Sequence, residues 1–241
     1  CLSLRADQLP DSILTTLVRG GSKSLTLAPE TGSQDLRYSI NKRFSDQDYF
    51  EAARRAFRFG VKNIKMYSMV GLPNEVEADM QALVDLVLET RKIQISEGLA
   101  GGRITLSLGL FVPKPLTPYQ WHPLANMEET ERKMRLVQQA LSKVGGVVVN
   151  WEAPKTALVE ALLARADRRM GAVLAKVYRK TNWKYWQQAL NDCHLKLDEL
   201  LYREREPAEL LPWSHLESSW PIERLWKDSE RARQQRWGSL K

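Results

Sequence analysis

Along the first 125 residues, short apolar runs alternate with segments whose apolar positions recur every three or four residues. Leu2–Ala6, Ser24–Ala28, Asn63–Val70 and Arg103–Val112 read as strands. Pro10–Arg19 reads as a helix on Ile13, Leu14, Leu17 and Val18, stopped by Gly20-Gly21. Gln34–Ile40, a longer segment from a Ser45 cap through Phe59 closed by Gly60, and Glu75–Lys92 read as further helices. Strand followed by helix, with no hairpin signal, predicts an α/β fold of about four parallel strands joined by right-handed crossovers. From residue 126 the texture is mainly helical. Met127–Val144, Ala157–Lys180 (Leu158, Leu162, Ala166, Met170 and Val173 on one face), Trp183–Leu201 and a charged helix from about Pro221 to Gln235 surround one short strand, Gly146–Trp151. The predicted division is 1–125 and 126–241, and the absence of repeats or a low-complexity linker predicts that the halves pack together.

The predicted strands run into three Gly/Pro-rich loops: Ala28-Pro29-Glu30-Thr31-Gly32-Ser33, Val70-Gly71-Leu72-Pro73-Asn74-Glu75, and Val112-Pro113-Lys114-Pro115-Leu116-Thr117-Pro118-Tyr119. In a parallel α/β fold the carboxyl ends of the strands share one face, where ligands bind. Each loop carries a charge, so the three converge on one candidate site. The structural alternative for Glu30 and Glu75 is placement at a helix start, where the macrodipole favours an acid.

Composition narrows the class. The chain has 241 residues, 43% hydrophobic and 27% charged, enough to bury a sizeable core without disulfides. No apolar run approaches the ~20 residues of a bilayer-spanning helix, and nothing at the start resembles a signal peptide, so no membrane partner is expected. The two cysteines, Cys1 and Cys193, make neither a disulfide framework nor a metal motif, which predicts a reducing, cytoplasmic setting. Residues 1–120 hold 15 Lys and Arg against 13 Asp and Glu, a balance of +2, and residues 121–241 hold 21 against 16, a balance of +5. All eight Trp lie in that more basic half. Interleaved basic and aromatic residues can bind RNA, although mixing of Lys and Arg with Glu also suits a solvated helical surface around a Trp-containing core. His122, His194 and His215 have no partner at ligand spacing, so no metal site is expected and a core or surface role is. Neither a Gly-x-Ser-x-Gly elbow nor a P-loop is present, and Gly20-Gly21-Ser22-Lys23 lacks the Walker spacing. With no nucleophile or metal set, the chemistry falls to a cofactor.

At these loops the sequence resembles the radical S-adenosylmethionine superfamily. Ser24–Gln34 with Ile40-Asn41-Lys42 is similar to its "APE-x-G" segment, and Lys65–Glu75 to its "hydrophobic strand, Gly-Leu-Pro-x-Glu" segment. Pro113–Trp121, Ala164–Arg169 and Leu211–Leu216 resemble a narrower group, uncharacterised radical proteins with an amino-terminal cobalamin-binding-type domain; Ala166 stands where that group usually has Gly. The resemblance spans nearly the whole chain. The superfamily's C-x-x-x-C-x-x-C cluster loop is absent, and no other thiolates replace it. Together with a chain that opens on Cys and at once on a strand, this predicts the carboxyl-terminal part of a partial (β/α) TIM barrel, a fragment whose partner is the missing amino-terminal part of the same protein.

What the resemblance implies is an enzyme that cleaves S-adenosylmethionine reductively to a 5′-deoxyadenosyl radical and abstracts hydrogen from an unknown substrate. The [4Fe–4S] cluster belongs to the complete protein only, with cobalamin a candidate cofactor there. By match, Glu30 hydrogen-bonds the ribose hydroxyls or amino-acid end of S-adenosylmethionine, while Met69, Val70 and Gly71 lie against the adenine and Val112 closes its side. Lys114, with Arg5, Tyr67 and Tyr119, is a substrate-side candidate. Two rivals stay open: an RNA-modifying radical protein whose basic half grips RNA, and a non-catalytic remnant serving as a binding scaffold.

Overall fold

The computed structural model describes residues 3–6, 9–180 and 182–234. Five parallel strands, β1 (Ser3–Leu4), β2 (Ser24–Glu30), β3 (Asn63–Val70), β4 (Ile104–Leu110) and β5 (Val147–Trp151), lie side by side in sequence order. One row of the register runs Leu27, Met66, Leu106, Val149. The crossovers are α1 (Asp11–Arg19), then α2 (Gln34–Ser39) and α3 (Asp46–Arg58), then α4 (Glu77–Ser96), then α5 (Met127–Leu141). Side chains alternate across a strand, and one set (Leu25, Leu27, Ile64, Met66, Ile104, Leu106, Leu108) packs with Leu14, Tyr49, Phe57, Leu83, Val87 and Val137 of the helices into a single core. The opposite set, Lys65, Tyr67, Thr105, Ser107, Val148 and Asn150, makes a polar face on which Tyr67 is 45% exposed and Val148 37%.

Local signals explain most boundaries. At α3, Ser45 Oγ accepts the Asp48 N–H (3.1 Å) while the Asp48 carboxylate accepts the Ser45 N–H (2.7 Å), a capping box. Helices α1 and α3 end at Gly21 and Gly60, whose φ values of 79° and 91° suit glycine. Helix α2 ends the same way on a non-glycine: Asn41 takes φ 61°, its N–H donates to Tyr38 O and that of Lys42 to Arg37 O.

Three expectations are corrected. Strand β5, assigned from sequence to the helical half, is the fifth strand of the sheet, and α5 packs on the sheet core, so the sheet-forming part extends to Trp151. The continuous helix over Ala157–Lys180 is two, α6 (Pro154–Arg165) and α7 (Met170–Val177). Ala166 is extended (φ −80°, ψ 170°) because Arg165, completely buried, ends α6 by donating to Pro113 O (3.0 Å) and His122 O (2.8 Å), while the Asp167 carboxylate caps the Arg169 N–H (2.9 Å). The predicted helix Trp183–Leu201 stops as α8 at Asp192, and a π-helical turn, Asp198–Tyr202, follows.

Helices α6 to α8 share a second core with Val112 and Leu124 from the loop after β4. Trp121, Leu211, Trp213 and Leu225 form a third, smaller one, the last from α9 (Ile222–Gln234). Among the described residues no helix is long and apolar enough to cross a membrane. Strand β1 is an edge, with β2 as its neighbour; Leu2, expected in that strand, lies outside the described residues.

Candidate functional site

The carboxyl ends of β2, β3 and β4 carry the three loops singled out above, and Glu30, Glu75 and Lys114 each meet a partner of opposite charge. Glu30 is the last residue of β2, in the left-handed region at φ 67° beyond an irregularity in the β2–β3 register. Its carboxylate Oε1 is 2.9 Å from Lys42 Nζ, and the side chain is 22% exposed. It therefore stands at the end of the sheet, ahead of the Ser33 N-cap of α2 rather than in a helix. Behind it, Arg37 is fully buried, donating to Thr31 O and Gly32 O (3.4 Å each) and to Asp46, with its guanidinium over Phe44; burial pulls its pKa down to about 10.

Glu75 also departs from the helix-start alternative. Helix α4 begins two residues later, and both Glu75 carboxylate oxygens accept the Gly71 N–H at 3.1 Å while Lys133 Nζ lies at 2.9 Å. The carboxyl is almost fully buried; burial raises its pKa, against the lowering effect of Lys133 and the loop amides. This pair closes the Gly-Leu-Pro-Asn-Glu loop on itself.

The residues assigned to adenine are dispersed. Met69 lies on the polar face by strand alternation, but Val70 is fully buried in the sheet core and Val112 in the second core. Gly71, at φ 92°, has its N–H taken by Glu75, and a Cβ there would come within 2.9 Å of the Ala125 side chain, so its missing side chain serves loop packing. Lys114 is ion-paired with Glu160 of α6. Tyr67 is exposed on the polar face, and Arg5 is exposed just past β1. Two of the three loops thus fold back onto helices, Glu75 of the second pairing with Lys133 of α5 and Lys114 of the third with Glu160 of α6.

Tyr119 is the substrate-side candidate that the structure does place in a cavity. Its hydroxyl donates to Ser39 O (3.0 Å), its ring meets Phe111 edge-on at 5.1 Å, and burial raises its pKa. A cleft of about 620 Å³ opens there, walled by residues 38–41, Arg43, Pro118, Tyr119 and, from α9, Arg224, Asp228, Arg231 and Ala232. Lys42, which holds Glu30, sits in the sequence between two lining residues, Asn41 and Arg43. Helix α9 is pinned across these loops by Asn74, whose side-chain amide donates to Arg233 O (3.1 Å), and by Ser229 Oγ against His122 Nε2 (3.1 Å). His122 is buried and its pKa is pulled down to about 4, first by burial and then by Arg233. Sequence reading missed Arg43, Arg224 and Arg231 of this cleft because its walls are 180 residues apart; the one local signal was Asn41-Lys42-Arg43 directly after a predicted helix.

A second cavity, about 690 Å³, lies at the amino ends of the strands beside Lys65 and Thr105. Its Arg91 donates to Ala100 O (2.7 Å), Gly145 O (2.9 Å) and Gly102 O (3.1 Å), tying two loops together. Among the described residues no three His, Cys, Asp or Glu side chains are grouped as metal ligands.

No family model matches the chain. It is similar to the uncharacterized protein MJ0966 of Methanocaldococcus jannaschii, at 32% identity over 176 residues that cover 71% of the chain and 36% of that protein. The chain spans a little over a third of the length of this relative.

Proposed function

We propose that the chain is the carboxyl-terminal part of a radical S-adenosylmethionine enzyme, a partial barrel whose Glu30 takes part in holding the cosubstrate against the polar face of the sheet. The observation that carries this reading is the one-sided parallel sheet: helices cover one face, the other is lined by Lys65, Tyr67, Ser107 and Asn150, and Glu30 ends the second strand on the carboxyl side. An acceptor carboxylate at that place suits ribose hydroxyls or an ammonium group, and its two oxygens let it keep Lys42 while accepting another donor. Met69 and Tyr67, on the same face, are the apolar and aromatic surface near it. Val70, Gly71 and Val112 are omitted from the binding set because their surroundings are already filled.

The iron–sulfur cluster does not fit this chain. It needs three thiolates on one loop, whereas the sequence has Cys1 and, packed against the second core, Cys193. No step of the reaction is assigned to residues here, and the ligands for the cluster, like any cobalamin-binding part, belong to polypeptide outside it. The greater length of the related archaeal protein supports such a division.

Titrating S-adenosylmethionine into the isotopically labelled chain, read by amide chemical shifts, tests the proposal. Shifts should gather at residues 28–31 and 67–69, and Glu30→Ala should weaken binding at least tenfold, the loss of a charge-assisted hydrogen bond of about 1.5–3 kcal/mol. Lys114→Ala should leave it unchanged. Absence of shifts at Glu30, or equal binding by the Glu30 variant, overturns the reading.

A further inference from the structure

We infer that the cleft between residues 38–43 and α9 is a binding site for the phosphoryl group of a nucleotide, either free or as part of single-stranded RNA. The assignment stands on the cleft itself and holds whether or not the chain binds S-adenosylmethionine.

The first argument is the state of its arginines. Three line the cleft, Arg43, Arg224 and Arg231, against one acid, Asp228, which is bonded to Arg231 at 3.0 Å. Arg54 and Arg58 meet Glu97 and Arg203 meets Glu209, whereas Arg43 and Arg224 make no ion pair among the described residues. Arg43 donates its Nε to Asn41 Oδ1 (2.9 Å), which orients the guanidinium and leaves its terminal nitrogens to the cleft. The Arg224 guanidinium carbon lies over Trp220, 3.8 Å from the ring centre, a contact with the face of the ring that uses none of its N–H donors. Two planar forks on facing walls suit the bidentate recognition of phosphoryl oxygens.

The second argument concerns what else the cleft offers. The last carbonyls of α2 would be competing acceptors, but the Asn41 and Lys42 amides consume those of Tyr38 and Arg37. With those groups paired, the Arg43 guanidinium is the cationic donor on that wall. A volume of about 620 Å³ exceeds what a lone anion fills, and Tyr38 and Tyr119 line it with aromatic surface on which a base can stack. Tyr119 is held in place by Ser39 and Phe111, so the platform is preformed. Phosphate recognition next to a ring platform is the chemistry of a nucleotide.

The test uses the whole chain with three probes: inorganic phosphate, adenosine monophosphate by calorimetry, and a fluorescent single-stranded RNA 12-mer by anisotropy, at low and moderate salt. Adenosine monophosphate or the RNA should bind more tightly than phosphate. Arg43→Gln and Arg224→Gln, both at exposed positions, should each weaken that binding about tenfold, while Arg135→Gln on α5 should not. Binding of the RNA alone assigns the site to RNA; binding of the mononucleotide as well assigns it to a free nucleotide. Independently of any variant, bound ligand should protect Arg43 and Arg224 from phenylglyoxal, read by mass spectrometry. The inference is overturned if neither nucleotide probe binds, if the two variants bind as the parent does, if Arg135→Gln loses as much, or if the two arginines stay equally reactive.

Discussion

His122 is an imidazole with an ordinary pKa of 6.5 held at about 4 by burial between the loop after β4 and α9. The folded form keeps it neutral, so the unfolded chain takes up a proton first as the pH falls. Stability contributed by the neutral ring is full above about pH 6.5 and is lost progressively down to pH 4, with an upper limit of roughly 3 kcal/mol. Urea midpoints measured at pH 7.5 and 4.5 should differ more for the parent than for His122→Asn, which lacks this linkage. Glu75 supplies a second case. Removing its carboxylate leaves Lys133 buried and the Gly71 N–H without an acceptor, so Glu75→Ala should cost about 3–5 kcal/mol, against little for Glu77→Ala at the exposed start of α4. An equal effect of the two would mean the buried pair is not what closes the loop. Sequence reading placed both residues sensibly as types, His122 as a core or surface side chain and Glu75 as structural or functional. It could not see Lys133, 58 positions away, which decides Glu75.

At the scale of elements, the legible signals were those carried by the residues at the boundary itself. Ser45 with Asp48 started a helix, and Gly20-Gly21 and Gly60 ended two. Asn41 and His194 do the same work at φ 61° and 54° and went unread, since neither residue announces a left-handed turn as glycine does. Asn41→Gly should therefore leave stability unchanged or raise it by up to about 1 kcal/mol, whereas Asn41→Val should lower it by about 1–2 kcal/mol, as thermal unfolding will register. The break between α6 and α7 had no such local sign. Arg165, pulled down to about 10 by burial and by nearby Arg205 and Arg203, is committed to two carbonyls of a distant loop, and that tertiary demand overrides a helical pattern that continues across it.

For the molecule as a whole, the parallel α/β class followed from the alternation of patterns, while the extent of the sheet did not. Val147–Trp151 is short and follows a long amphipathic helix, so it reads as equally fit for either half until its pairing with β4 is seen. The loop after β4 ties the halves: Leu110 precedes it at the end of a sheet strand, yet Val112 and Leu124 are buried with α6 to α8. That loop makes independent melting of the cores unfavourable. Tryptophan fluorescence, which reports mainly on the second and third cores because the Trp residues start at 121, and far-ultraviolet circular dichroism, which reports the whole, should give coincident urea transitions. A fluorescence transition at clearly lower urea would show that the helical part opens by itself. Among the described residues β1 is the edge of the sheet and lacks Pro between Ser3 and Ala6, and edges without such protection pair with other strands, so sedimentation at rising concentration should reveal self-association.

The placement of α9 over the loops of the sheet also has a meaning for biosynthesis. A chain emerges from the ribosome amino end first and tends to fold in that order, so the sheet, residues 38–43 and Tyr119 can be in place long before residues 224–232 appear. The cleft acquires its second wall only when residues 224–232 have been made. A product truncated before Ile222 would keep the whole sheet and yet lack Arg224 and Arg231.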